Sequence, residues 1–181
     1  MFLESWGATP EEVASPLVGD HLCDDARVSA TRCITIAAPP ADVFPWIRQM
    51  GFGRAGWYSY DWIDNLGRKS ARRIHPEWQD IVSGSLVPAG PMSFIASVVE
   101  EPRAFVLTIS DKGLGKRMCF TLAYELRPDD LGTRLVTRMR ARIDLPGGRL
   151  LEKYLLIPGD GIMLRKQLLT LKATIERSRQ N

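Results

Sequence analysis

The residues best equipped for chemistry lie in one stretch, GRAGWYSYDWIDNLGRKSARRIHPEW, from Gly53 to Trp78. It gathers Trp57, Tyr58, Tyr60, Trp62 and Trp78. Aromatics this dense serve as plain core, as a stacking surface for bases, or as the lining of a pocket. In a pocket the ring bodies supply apolar surface, while Tyr hydroxyls and Trp N–H groups orient a polar part of the ligand. Gly53, Ala55 and Gly56 beside the rings fit tight packing equally well. Asp61, Tyr58 and Arg54 together can polarise a ligand carbonyl, although an Asp–Arg pair that ties short helices down is the commoner arrangement. His75 is the candidate acid or base by type, because imidazole titrates near neutrality. It precedes Pro76 in a polar loop, with no Ser, Cys or carboxylate partner evident, which favours a turn-satisfying role.

Other patterns carry less chemistry. Gly51 to Gly56 reads GFGRAG, but a dinucleotide fingerprint needs a strand before it and a helix after it. Here a helix-like segment precedes it. GLGK at 113–116 lacks the full phosphate-loop spacing. Arg138, Arg140 and Arg142 alternate along one strand; such a row is either an anion-binding stripe or, more commonly, a solvated face paired with carboxylates. A net charge of +3 over 181 residues is too small for a nucleic-acid reader. Asp61 and Asp64 place repulsive charge where a phosphate backbone would run past the aromatics. Cys23, Cys33 and Cys119 form no C-x-x-C pair, and with only His21 and His75 beside them neither a zinc site nor a disulfide framework is expected. Buried free thiols in a reducing compartment are the expectation. No metal and no cofactor is expected.

The elements that must position these residues follow from periodicity. Thr9, Pro10 and Glu12 have capping-box spacing for a short helix ended by Pro16. TRCITIAAPP reads as a strand. Pro40 opens a helix through Met50, with Val43, Ile47 and Met50 on one face and Pro45 kinking or shortening it. Tyr58 to Leu66 is expected as a second short helix stopped by Gly67, with Trp57, Tyr58, Asp61, Trp62 and Asn65 on one side. RKSARRIHPEWQD reads as a loop or single turn. From Ser83 onward come five short strands, with DKGLGK and RPDDLG as hairpin turns. Met118, Phe120, Leu122, Tyr124 and Leu126 share one face of the fourth; Leu135, Thr137, Met139, Ala141 and Ile143 share one face of the fifth. One sheet face should therefore be apolar and the other wet. Phe120, Leu122, Leu135 and Met139 should face the last helix, with Arg138 and Arg140 facing away. Pro158-Gly159-Asp160-Gly161 breaks the chain or starts that helix, and Leu164, Leu168, Leu171 and Ile175 mark its apolar face.

The order is strand, two helices, strand meander, long helix, which is an α+β fold. WGATPEE, APPADVFPWIRQMGFGRAGWYSYDWIDNLG, GTRLVTRMRARI and PGDGIMLRKQLLTLK resemble the SRPBCC superfamily of START-like helix-grip proteins, which includes polyketide cyclases and lipid-transfer domains. More closely they are similar to an uncharacterised bacterial, often actinobacterial, subgroup. The likeness runs over nearly the whole chain. It implies a curved antiparallel sheet wrapped around a long C-terminal helix, two short helices closing one end, and a cavity between sheet and helix that receives hydrophobic ligands such as lipids, polyketides or sterols. A single domain over residues 1–181 is expected, with 1–30 as an N-terminal extension packed on it.

Ligand contact is expected from Trp57, Tyr58, Asp61 and Trp62 at the mouth and from Phe120, Met139, Leu164 and Leu168 within the grip. Two functions of different class follow. One is binding or carriage of a hydrophobic small molecule; the other is a cyclase, aromatase or dehydratase in which Tyr, Asp or His residues shuttle protons. A third is a protein-interaction module with a filled core. A large apolar void favours the carrier, two or more convergent titratable groups favour the enzyme, and a packed interior favours the module. No apolar run approaches the roughly 18 residues of a membrane helix, so no integral membrane association is expected. MFLESWGATPEE lacks a basic-then-apolar layout, which makes the cytoplasm the default expectation. Neither oligomeric state nor catalytic residues follow from the sequence.

Overall fold

A computed structural model describes residues 4–109 and 117–180. Along the chain they form α1 (Pro10–Ala14), β1 (Val28–Ile36), α2 (Pro40–Arg48), α3 (Asp61–Asp64), β2 (Leu86–Ala89), β3 (Met92–Glu100), β4 (Ala104–Ile109), β5 (Met118–Asp129), β6 (Gly132–Ile143), α4 (Gly148–Leu151) and α5 (Ile157–Ser178). The strands make one sheet in the order β1-β6-β5-β4-β3-β2, with every neighbouring pair antiparallel. The first strand thus closes onto the last, and the sheet curves over α5. This is an α+β helix-grip arrangement.

Period-two alternation decides which side chains meet the helix. Leu122, Tyr124, Leu126, Leu135 and Met139 share one buried core with Leu164, Leu168, Leu171 and Ile175, and Phe120 packs against it half-buried. The β5–β6 hairpin turns within RPDDLG, where Asp129 pairs with Gly132. Gly132 has φ 133°, and a Cβ there would run into the Ile36 carbonyl, so only glycine fits. The turn expected in DKGLGK lies outside the described residues.

The opposite sheet face is not wet along β6. The segment before β1 lies across it, held by the arginine row. Arg138 is only 4% exposed. It donates to the Glu12, Val13 and Ser15 carbonyls, to Asp20 and to Thr31. Those five contacts use all five guanidinium donors and satisfy the orphan carbonyls at the C-terminal end of α1. Arg134 grips Glu12 through two parallel bonds of 2.7 and 2.8 Å, and this holds the Glu12 carboxyl down to about 2. Arg140 donates to the Cys23 and Asp24 carbonyls, and Arg142 pairs with Asp25 and Asp144. The row is a rail for the N-terminal segment, neither a solvated face nor an anion stripe. Glu12 also completes the capping box with Thr9.

Three further expectations need correction. Cys23 and Cys119 are joined in a disulfide that links the N-terminal segment to β5, and only Cys33 is a buried free thiol. Their separation of 96 residues gives no local spacing signal. Helical backbone begins at Gly148, ten residues before the Pro158 breaker. A π-helical turn at Glu152–Leu156 precedes Pro158, and the widened turn makes room for a ring that would otherwise press on the Tyr154 carbonyl. The helix of residues 58–66 shrinks to Asp61–Asp64, because Tyr58 (φ 57°) and Leu66 (φ 50°) adopt left-handed backbone at its two ends. Pro45 does not break α2; the carbonyl it leaves without a donor belongs to exposed Ala41.

Candidate functional site

Between the sheet and α5 lies a cavity of about 540 Å³. Phe94 of β3 with Phe120 and Leu122 of β5 form one wall. Leu156, Asp160, Met163, Leu164 and Gln167 form the helical wall. Phe52, Trp57, Ser59, Ile63, Asp64 and Leu66 arch over it, and the β2–β3 turn from Ala89 to Met92 completes the rim. An aromatic ladder runs down the inside: Trp57 meets Phe94 edge-on at 5.7 Å between centroids, and Phe94 stacks on Phe120 at 5.8 Å.

Local backbone sends adjacent aromatics in different directions. Gly56 at φ 74° and Tyr58 at φ 57° flank Trp57 and turn the chain sharply. A Cβ on Gly56 would strike the Ser70 hydroxyl. Ser70 accepts from the Tyr58 amide and donates to Asp61, pinning the loop, while Gln167 donates to the Trp57 carbonyl at 2.8 Å. Trp57 is thereby presented to the cavity. Tyr58 points instead into the core, edge-on to Trp46, with its hydroxyl accepting from Gln49. Burial pushes its phenol above the ordinary range, so it stays neutral.

The cavity's polar groups are few, and most are already engaged. Gln167 accepts from the Tyr124 hydroxyl while donating to Trp57, so its amide is committed. The Ser59 hydroxyl donates to the Met163 carbonyl. Asp160 accepts from the fully buried Arg32 at 2.6 Å. Burial pushes the Asp160 carboxyl up and the guanidinium opposes that shift. Asp64 differs: among the described residues neither of its carboxylate oxygens, both buried, has a hydrogen-bond partner. Burial first, and Asp61 second, push its carboxyl up to about 6.

Trp57, Phe120 and Leu164 line the cavity. Tyr58, Met139 and Leu168, expected beside them, are buried in the surrounding core. Asp61 is spent on Ser70 and lies outside the lining. Trp62, expected to turn inward with Trp57, is 73% exposed, because the shortened α3 rotates it outward. Arg54 does not pair with Asp61; it bonds Asp80 and the Trp78 carbonyl. His75 stacks on Trp78 at 4.1 Å with Glu77 on its Nδ1, away from the cavity. Sequence reasoning missed Asp64, Asp160, Arg32 and Gln167. A signal existed for Asp160, since it lies four residues before Leu164 on the apolar stripe, where an acid demands a partner.

Neither a family model nor a curated protein matches the chain. Solved structures do. The solution structure of the KanY protein (ms6282) is 14% identical, with a TM-score of 0.54 over 82% of this chain and 97% of that one. The Aha1 dimer from Colwellia psychrerythraea is 14% identical, with a TM-score of 0.51 over 82% of this chain and 96% of its own. Protein SSP2350 from Staphylococcus saprophyticus is 12% identical, with a TM-score of 0.51 over 83% and 93%. At such identities the likeness is one of fold.

Proposed function

We propose that this chain, an SRPBCC-like helix-grip protein in its fold, binds a hydrophobic small molecule of lipid, polyketide or sterol type between its sheet and α5. One observation carries the reading: a cavity of about 540 Å³ with mainly apolar walls between the sheet and α5. That volume falls within the roughly 300–1,000 Å³ of small-molecule sites, and the mix of apolar wall with few polar groups is typical of them. The void also argues against an interaction module with a filled core. Among the described residues no helix is long and apolar enough to cross a membrane.

Proton-shuttling catalysis is favoured by one feature, the unpartnered Asp64 carboxyl held near neutrality. A second free group that would complete an acid–base pair is missing from the lining: Asp160 is committed to Arg32, and Tyr124 to Gln167. Binding is therefore the better-supported function. The test uses the neutral fluorophore N-phenyl-1-naphthylamine. Saturable binding is expected in the native protein and should be abolished by Leu164→Trp, which fills the void, in a variant shown to be folded by circular dichroism. Equal binding by both proteins would sink the proposal.

A further inference from the structure

The cavity opens through a lip that is itself apolar. Ile63, Leu66 and Met92 line the void and are exposed as well, Leu66 to 77%. A side chain that meets both void and solvent stands at the opening. Trp62, beside Ile63, is exposed, as are Tyr154 and Leu155, just before the lining residue Leu156. Large apolar side chains left in water around a concave site mark a surface that docks against something. The charges behind the lip are sorted by sign. Arg68, Lys69, Arg72 and Arg73 follow Leu66 closely; all four are exposed, and among the described residues none of them forms an ion pair. On the helical side Lys153 is exposed, its ammonium over the Tyr154 ring. The acids of the same two stretches are turned inward. Asp61 bonds Ser70, Asp64 keeps both carboxylate oxygens buried, Glu152 is held by Arg27 and Asp160 by Arg32. The whole chain carries a net charge of only +3, so this basic surface is a local feature.

We propose that the mouth of the cavity docks on an anionic lipid bilayer. Trp62, Leu66 and Met92 enter the headgroup layer, and Arg68, Lys69, Arg72 and Arg73 are held against its negative charge. The chemistry of the lip favours this occupant. Trp settles at a membrane–water interface, where its ring meets apolar surroundings and its N–H stays wet. Each Lys or Arg near an anionic surface adds attraction to that of the buried apolar area. A second copy of this chain, paired symmetrically through the same lip, would set like charges face to face. The contact is peripheral, since among the described residues no helix is long and apolar enough to cross a membrane. Docked in this way the void faces the bilayer, and a hydrophobic molecule passes between the two without crossing water. This goes beyond the binding reading and can fail without it.

The test is flotation of the protein with vesicles of phosphatidylcholine, alone or with about 30% phosphatidylserine. At about 0.1 M salt, binding to the anionic vesicles should be about tenfold or more stronger than to the neutral ones. It should fall as salt rises to about 0.5 M. Trp62→Ser should weaken it about tenfold through lost apolar insertion, and Arg68→Gln with Lys69→Gln about tenfold or more through lost attraction. None of these residues lines the cavity, so both variants should bind N-phenyl-1-naphthylamine as the native protein does when no vesicles are present. Equal flotation with both vesicle types, or with neither, would overturn the proposal, as would flotation untouched by either variant. A dimer in sedimentation velocity that Trp62→Ser breaks, in a protein that ignores vesicles, would assign the lip to a second copy and overturn it too. The native salt series decides even if a variant fails to fold. Fluorophore binding without flotation removes only the docking proposal. Flotation without fluorophore binding sustains the docking and removes the cavity as a ligand site.

Discussion

Leu164 and Leu168 sit one turn apart on α5, and truncating each to Ala should give unequal results. Leu168 is fully buried in the core, whereas Leu164 has one side on the cavity. Removing three carbons from Leu168 forfeits about 2.4 kcal/mol of transfer free energy at ~0.8 kcal/mol per group. A new void of roughly 60 Å³ adds about 1.4 kcal/mol at ~24 cal/mol/Å³, for a total near 4 kcal/mol. Leu164→Ala enlarges a void that already exists. It loses nearly the same transfer energy, about 2.3 kcal/mol, since Leu164 is only 4% exposed, but creates no new enclosed space. With an m-value of about 2 kcal/mol/M in urea, the midpoint should fall by roughly 2 M for Leu168→Ala and about 1.2 M for Leu164→Ala. Equilibrium urea unfolding followed by circular dichroism measures both. Equal midpoint shifts with unchanged m would mean that Leu164 is as tightly packed as Leu168, and that the void is not there in solution.

Other outcomes follow from the same contacts. Arg138→Met should cost about 3–5 kcal/mol in urea unfolding, because it strands Asp20 and three carbonyls at the end of α1; a loss under about 1 kcal/mol would mean the rail does not hold the N-terminal segment. Arg32→Met should cost a similar ~3–5 kcal/mol by leaving Asp160 buried and unpaired, and adding Asp160→Leu should restore most of it. A double variant no more stable than the single would refute the pairing. Glu12 is lowered from 4.5 to about 2 in the folded protein, so its bond to Arg134 stabilises fully above pH 4.5 and that contribution disappears as pH falls through 2. The stability deficit of Arg134→Met should accordingly narrow between pH 5 and pH 2; a constant deficit would exclude an ionic origin. Trp57→Ala should weaken N-phenyl-1-naphthylamine binding about tenfold while destabilising by less than the ~3–5 kcal/mol of a fully buried aromatic. Severe unfolding with intact affinity would make Trp57 scaffold.

How much of this was legible in the sequence depended on whether the cause was local. The capping box of α1, the alternation of β5 and β6 and the leucine stripe of α5 are set by residues within a turn or two of one another, and these patterns match the observed elements. Pro158 does lie in the first turn of α5, one of the two readings the sequence offered, but the helical backbone from Gly148 and the π turn that lead into it leave no sequence mark. The arginine row was visible, but the segment it grips lies more than 110 residues away, so its role was not. Separations of 128 and 96 residues likewise hid the Arg32–Asp160 and Cys23–Cys119 pairs. Within the aromatic stretch, helical spacing put Trp57, Tyr58 and Trp62 on one side. The left-handed backbone at Tyr58 scatters them into cavity, core and solvent. Asp64 stood out in the sequence only as a charge among the aromatics that would repel a phosphate backbone, and only the folded arch reveals that its oxygens are shut away.

The central claim is that the space between sheet and α5 is where a hydrophobic molecule sits. Chemical-shift mapping of isotope-labelled protein titrated with N-phenyl-1-naphthylamine tests it most directly. The perturbations should centre on Trp57, Phe94, Phe120 and Leu164, saturate at one equivalent and spare exposed Trp62 and Tyr154. Shifts confined to Trp62 and Tyr154, with the cavity residues unmoved, would contradict the account.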